Sequence, residues 1–210
     1  MYKVILAGGI ASGKSTAAAE LERLGARRID LDQVSRDVLA PGTACTAEVA
    51  EAFGADLLDE KSGRLDRALL ASRAFASAEA TARLEAIELP HITRELERRL
   101  AAAEADDVAC ALVEVPLLDR LGDAHALADE VLVVTCPTDV RRERARDRGM
   151  APADFDQRLA HQPSDDYLRA HADAEIANDG DLAHLLDQVR AWWADRTAKQ
   201  LIKGDPHGQR

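Results

Sequence analysis

Gly8-Gly9-Ile10-Ala11-Ser12-Gly13-Lys14-Ser15, followed by Thr16, carries the spacing G-x-x-x-x-G-K-[ST], that of a P-loop, a turn that wraps phosphate groups. Its flanks fit. Val4-Ile5-Leu6-Ala7 ahead of it is a short apolar run suited to a buried strand, and behind it Ala18, Leu21 and Leu24 recur at helical spacing between Thr16 and Leu24. Strand, loop and helix therefore come in the order that a phosphate cradle needs. Glycines let successive backbone N–H groups turn towards one centre, through φ > 0 conformations and a close approach that a Cβ blocks. Lys14 adds a point charge for β- and γ-phosphates, and the Ser15 hydroxyl is an oxygen ligand of the kind Mg²⁺ takes. Ala11 stands where a further glycine would give freedom, so a negative φ is expected there. The motif implies use of a nucleoside triphosphate.

The composition frames what surrounds this loop. A chain of 210 residues, 47% of them hydrophobic, can bury one sizeable core, and a single domain over 1–210 is the natural size. Aromatic residues make up only 3%, so Leu, Val, Ile and Ala must fill that core, as they do where helices pack on a parallel sheet. A formal net charge of -11 argues against nucleic-acid binding, which rests on a surplus of Lys and Arg. Cys45, Cys110 and Cys136 are far apart and form no CxxC pair, so neither a disulfide framework nor a zinc site is expected. No stretch reaches the ~18 apolar residues of a membrane span, and no basic leader or cleavage site precedes the first strand. The expectations are a cytoplasmic protein with no nucleic-acid or membrane partner, a monomer or weak homo-oligomer.

Gly25-Ala26 stops the first helix, and Arg27-Arg28-Ile29-Asp30-Leu31-Asp32 reads as a second strand with acids at its carboxyl end. Ligands of open α/β sheets lie outside such ends, so Asp30 and Asp32 are candidates to meet a substrate or its metal. The competing reading has Asp32 cap a helix over Gln33–Leu39, which Pro41-Gly42-Thr43 breaks. From Thr46 to Leu100 the apolar spacing is helical, with interruptions expected at Gly54, Ser62-Gly63 and Pro90. A helical insertion over about 43–103 would form a lobe for a phosphoryl acceptor. Val108–Val113 is the third strand and delivers Glu114, either an acid for the metal or a satisfied loop residue; Glu130–Thr135 is the fourth. An arginine-rich helix over Asp139–Arg148 puts Arg141, Arg144 and Arg148 on one face. That is either a solvated face paired with Glu143 and Asp147 or, for Arg144 and Arg148, part of a lid over about 141–170 that faces transferring phosphates. Helices over Pro152–Gln162 and Ser164–Ala170, a strand over Ala172–Ala177, a turn at Asn178-Asp179-Gly180 able to hold a base edge, and an amphipathic helix over Asp181–Ala198 complete the frame. The tail from Lys203 reads as polar and frayed. The core of the domain thus covers about 1–40, 106–140 and 171–200.

Together, Gly8 to Thr16, Ile29-Asp30-Leu31-Asp32 with Arg36, Ala40-Pro41-Gly42, Val115-Pro116-Leu117-Leu118, Arg144 with Arg148, and Ala172-Asp173 with Ile176-Ala177-Asn178-Asp179-Gly180 resemble the dephospho-CoA kinases, from the first strand to about Trp193. The resemblance implies a P-loop fold with a parallel sheet flanked by helices, a helical acceptor-binding lobe and an Arg-bearing lid. It implies transfer of the γ-phosphoryl of ATP to the ribose 3′-hydroxyl of dephospho-CoA, the last step of coenzyme A synthesis. It also implies that Asp32 is the general base and that Ala11 to Thr16 hold the ATP phosphates. The candidate catalytic set is then Asp32, Lys14 and Arg144. The nucleotide set is Gly8, Ala11, Ser12, Gly13, Lys14, Ser15, Thr16, Arg148 and Asn178, with Ser15 as ligand of Mg²⁺. Two places depart from the family pattern: Leu89-Pro90-His91 stands where His-Pro is common, and Asp119-Arg120 follows Pro-Leu-Leu in place of an aromatic residue and Glu. The rival functions are a nucleoside monophosphate kinase of the same architecture and a nucleotide-binding switch without phosphoryl transfer.

Overall fold

The computed structural model describes residues 1–121 and 126–203; the expected frayed tail falls on 204–210, outside the described residues. The elements are β1 (Tyr2–Gly8), α1 (Lys14–Arg23), β2 (Ala26–Asp30), α2 (Leu31–Val38), α3 (Ala44–Phe53), α4 (Arg67–Ala74), α5 (Ala78–Ala105), β3 (Cys110–Glu114), β4 (Glu130–Thr135), α6 (Thr138–Asp147), α7 (Pro152–Ala160), α8 (Asp165–Ala170), β5 (Ala174–Ala177) and α9 (Leu182–Ala198). The strands form one parallel sheet in the order β2-β3-β1-β4-β5, flanked by helices, which is the expected α/β architecture.

The chain divides into two compact units, Met1–Asp30 with Ala103–Arg210, and Leu31–Ala102. In the first, β3 and β4 are buried along their whole length, as befits strands covered on both faces. Side chains alternate between the faces. Val4, Leu6, Leu112, Leu132 and Val134 join Ala17, Ala18 and Leu21 of α1 and Leu185, Val189 and Trp192 of α9 in one cluster. Ile5, Ala7, Val131 and Val133, equally buried, point the other way, and α8 packs against β1 and β4. The second unit is helical, apart from one antiparallel bridge between Leu58 and Leu65. Val38, Leu39, Cys45, Val49, Leu57, Leu70, Ala74 and Leu84 form its core. Thr43 caps α3 by accepting from the Thr46 amide at 3.2 Å, and Asp66 caps α4 by accepting from the Ala68 and Leu69 amides. This unit starts at Leu31 and so takes in α2 as well as the lobe expected from residue 43.

Several boundaries differ from the sequence expectation. β2 stops at Asp30 because it runs in register with β3 and Asp30 lies opposite Glu114, where β3 itself ends. With no strand left to pair with, the next residues wind into α2, and Asp32 sits in its first helical turn instead of at a strand end or as a cap for Gln33. β3 starts at Cys110, two residues late, since the Val108 amide is still donating to the Ala103 carbonyl at 3.0 Å after α5. Pro90 does not break α5, which runs through it. An interior proline costs about 3 kcal/mol, but Leu84 and Ile87 before it and Ile92 after it all pack on the core of the helical unit. Full burial of an apolar side chain is worth about 1.5–3 kcal/mol, so the buried Leu84 together with the partly buried Ile87 and Ile92 offsets a cost of that size. Among the described residues no helix is long and apolar enough to cross a membrane, and all three cysteines are buried and unpaired.

Candidate active site

β1 is the central strand, with β3 on one side and β4 on the other, so the loop that leaves Gly8 emerges where the strand order reverses, the usual crevice for ligands in such sheets. Gly8 lies opposite Val134 of β4. The Ser12 amide donates to the Gly9 carbonyl at 3.1 Å, which closes a four-residue turn with Ala11 in its third place, and Ala11 has φ 57°. The negative φ expected for Ala11 is therefore wrong: a turn that aims its amides inward needs a left-handed residue at this place whatever its side chain. Gly13, at φ 100°, precedes α1, and the Thr16 and Ala17 amides both donate to its carbonyl at 3.0 Å. Having no side chain, Gly13 leaves the first amides of α1 uncapped, the arrangement that binds an anion at a helix N-terminus. A Cβ on Gly13 would stand 2.2 Å from Nδ2 of Asn178.

Lys14 opens α1. Its Nζ donates to the Val115 carbonyl at 2.8 Å and lies 3.4 Å from Oε1 of Glu114. Glu114 is buried and also pairs with Arg28 of β2, which reaches Glu22 at 3.5 Å. The acid is thus compensated by two cations, as a buried carboxylate must be. The lysine is held beside the loop with donor capacity to spare, since an ammonium has three N–H groups. Ser15 is exposed in the first turn of α1, Thr16 half-buried, and Ser12 buried.

Arg141, Arg144 and Arg148, expected on one face, part company. Arg144 donates to Oδ1 of Asn178 and to the Gly180 carbonyl, both at 3.3 Å, and meets Sγ of Cys136 at 3.4 Å. Burial pushes the Cys136 thiol up from its usual pKa, against the pull of the Arg144 and Arg141 cations. Asn178 is buried; its amide donates to the Thr135 carbonyl at 2.8 Å and its Nδ2 to the Ser12 carbonyl at 2.7 Å. Its side chain therefore ties the P-loop to Arg144. Arg148 follows the last turn of α6 and, with Ile10, Ala11, Met150, Asp154 and Arg158, lines a cavity of about 280 Å³. The solvated-face reading fits other arginines of this helix, since Arg142 pairs with Asp156 at 2.7 Å and Arg146 with Asp147 at 3.7 Å.

Two residues next to the loop were given no site role by the sequence reading. Arg141 is 3% exposed, pairs with Asp165 at 3.4 Å and fills the space beside Gly9; Oε1 of Gln162 accepts from the Ile10 amide at 2.7 Å. The available signal was Gly9, a glycine at a place where the motif accepts any residue. In the helical unit, Asp32 belongs to the first turn of α2, Nε2 of His91 lies 3.1 Å from Glu48, and a cavity of about 380 Å³ is lined by Asp37, Thr43, His91, Arg94, Glu95 and Arg98. Asp119 falls in the 3₁₀ turn Leu118–Arg120.

The family model for dephospho-CoA kinase matches residues 2–184. A dephospho-CoA kinase of Corynebacterium diphtheriae is 41% identical over 197 residues, 93% of this chain and 97% of the relative. One from Anaeromyxobacter dehalogenans is 43% identical over 205 residues, covering 97% and 94%. Among solved structures, TT1252 from Thermus thermophilus superposes with a TM-score of 0.77 at 28% identity, over 92% of this chain and 97% of that one. A P-loop built as above, on a chain matched over nearly its whole length, makes this protein a member of the dephospho-CoA kinase family.

Proposed function

We propose that the chain transfers the γ-phosphoryl group of ATP to the ribose 3′-hydroxyl of dephospho-CoA. The observation that carries this reading is the P-loop at the switch point of the sheet, with uncapped α1 amides and Lys14 braced by Val115 and Glu114. Phosphoryl transfer asks little covalent chemistry of a protein: it needs an oriented acceptor, a metal and positive charge around the transferring oxygens. The amides of Ala11 to Thr16 and Nζ of Lys14 hold the phosphates. Arg144 of α6 and Arg148 just after it add charge, while Gly8 and Asn178 fix the loop that does the holding. Asp32 accepts the proton of the 3′-hydroxyl. The donor set suits Mg²⁺, which takes one or two protein oxygens and fills its shell from phosphates and water; the Ser15 hydroxyl would be that ligand, and the ion would neutralise charge on the phosphates. The three buried thiols suit a reducing cytoplasm.

A coupled assay of ADP release tests the reading directly. Dephospho-CoA is expected to sustain turnover, whereas a nucleoside monophosphate, or no acceptor at all, leaves only background. Equal rates with the monophosphate would make the protein a different kinase, and acceptor-independent hydrolysis would favour a switch. Arg144→Ala and Arg148→Ala are expected to lower kcat more than they raise KM for the acceptor, because charge on the transferring group acts mainly in the transition state. A change in melting temperature alone, with kcat intact, would return both residues to a purely structural role.

A further inference from the structure

We infer that Gln162 is a positioning residue that holds the P-loop in its phosphate-binding shape against the backbone strain at Ala11. This rests on the reading of the loop as an ATP cradle. Ala11 has φ 57°, a conformation that disfavours any residue with a Cβ. An alanine there relaxes to negative φ unless its surroundings hold it. One restraint is within the loop, the bond from the Ser12 amide to the Gly9 carbonyl at 3.1 Å. The other comes from 152 residues along the chain, where Oε1 of Gln162 accepts from the Ile10 amide at 2.7 Å. A backbone N–H is a donor, so the side-chain oxygen must be the atom that faces it.

The brace itself is anchored. Gln162 directly follows the end of α7, whose capping residue is His161, and the His161 and Gln162 amides donate to the Arg158 and Leu159 carbonyls at 3.2 Å. Two residues on, Ser164 caps α8 by accepting from the Tyr167 amide at 3.1 Å. Arg141 of α6 closes the other side of the turn. It is almost wholly buried, donates to Thr138 Oγ1 at 3.1 Å and pairs with Asp165 of α8 at 3.4 Å. A Cβ on Gly9 would come within 2.2 Å of Nη1 of Arg141 and 3.5 Å of Oε1 of Gln162. Gly9 and Ile10 are thus flanked by Arg141 of α6, which Asp165 of α8 holds, and by Gln162 after α7, so the ends of these helices set the shape of the loop.

Gln162→Met keeps the length of the side chain and removes its acceptor. In the nucleotide-free protein, hydrogen exchange over residues 9–12 is expected to speed up, and ATP binding measured by calorimetry is expected to weaken about tenfold, as for one lost hydrogen bond to a partly buried amide. The decisive arm is Ala11→Gly in the same chain. Glycine adopts the left-handed conformation without strain, so the double variant is expected to recover ATP affinity to within about threefold of wild type, which a merely structural Gln162 would not allow. Unchanged exchange in Gln162→Met overturns the inference, and so does a double variant that binds as poorly as the single one. Faster exchange in a protein whose wild type does not bind ATP would instead sink the ATP reading and leave the brace standing.

Discussion

Asp32→Asn is expected to cut turnover about 10²–10⁴-fold, the usual worth of a general base, with little change in the KM for ATP. Asparagine matches the size of the side chain and loses only the charge and its power to take a proton. The position of Asp32 in the first turn of α2 gives the carboxylate a second, structural value, since an acid there meets the positive end of the helix dipole for about 0.3–1 kcal/mol. For a chain of this size that corresponds to a melting-temperature loss of no more than about 2–4 °C. The two roles therefore separate on one purified variant. A turnover number within twofold of wild type, whatever the melting temperature, sinks the catalytic assignment, and a large stability loss with preserved kinetics would make Asp32 a helix-end residue.

Lys14→Ala is expected to lower kcat by about 10²–10³-fold or more, the range seen when one preorganised charge-stabilising donor is removed. The fold should survive, for Lys14 is outside the apolar cluster between the sheet and α1 and α9. One structural consequence follows from Glu114. Without the ammonium, the buried acid keeps Arg28 as its one cationic partner among the described residues, so some loss of stability accompanies the loss of activity. Lys14→Ala together with Glu114→Gln should regain the stability and none of the turnover, which chemical denaturation and the ADP-release assay read independently. A Lys14→Ala protein that keeps full turnover would remove the P-loop from the mechanism.

The parts of this protein that follow from the sequence alone are those written in neighbouring residues. Spacing within nine residues marked the P-loop, and short apolar runs marked β1, β3 and β4, the strands that the sheet covers on both faces. The fragments in their order carried the resemblance to the dephospho-CoA kinases, which the comparisons bear out. The tertiary structure decided what depends on residues far apart in the chain. Where β2 ends, and hence whether Asp32 stands on a strand or a helix, is set by the length of β3 eighty residues on. Pro90 is tolerated because Leu84, Ile87 and Ile92 meet a core assembled from α2, α3 and α4. The grip of Gln162 and Arg141 on Gly9 and Ile10, the link from Asn178 to Ser12 and the pairing of Lys14 with Glu114 arise only when strand order brings the ends of β1, β3, β4 and β5 side by side. The left-handed Ala11 has the same origin. Local sequence states what conformation a residue prefers, and only the contacts around it state which strain will be held.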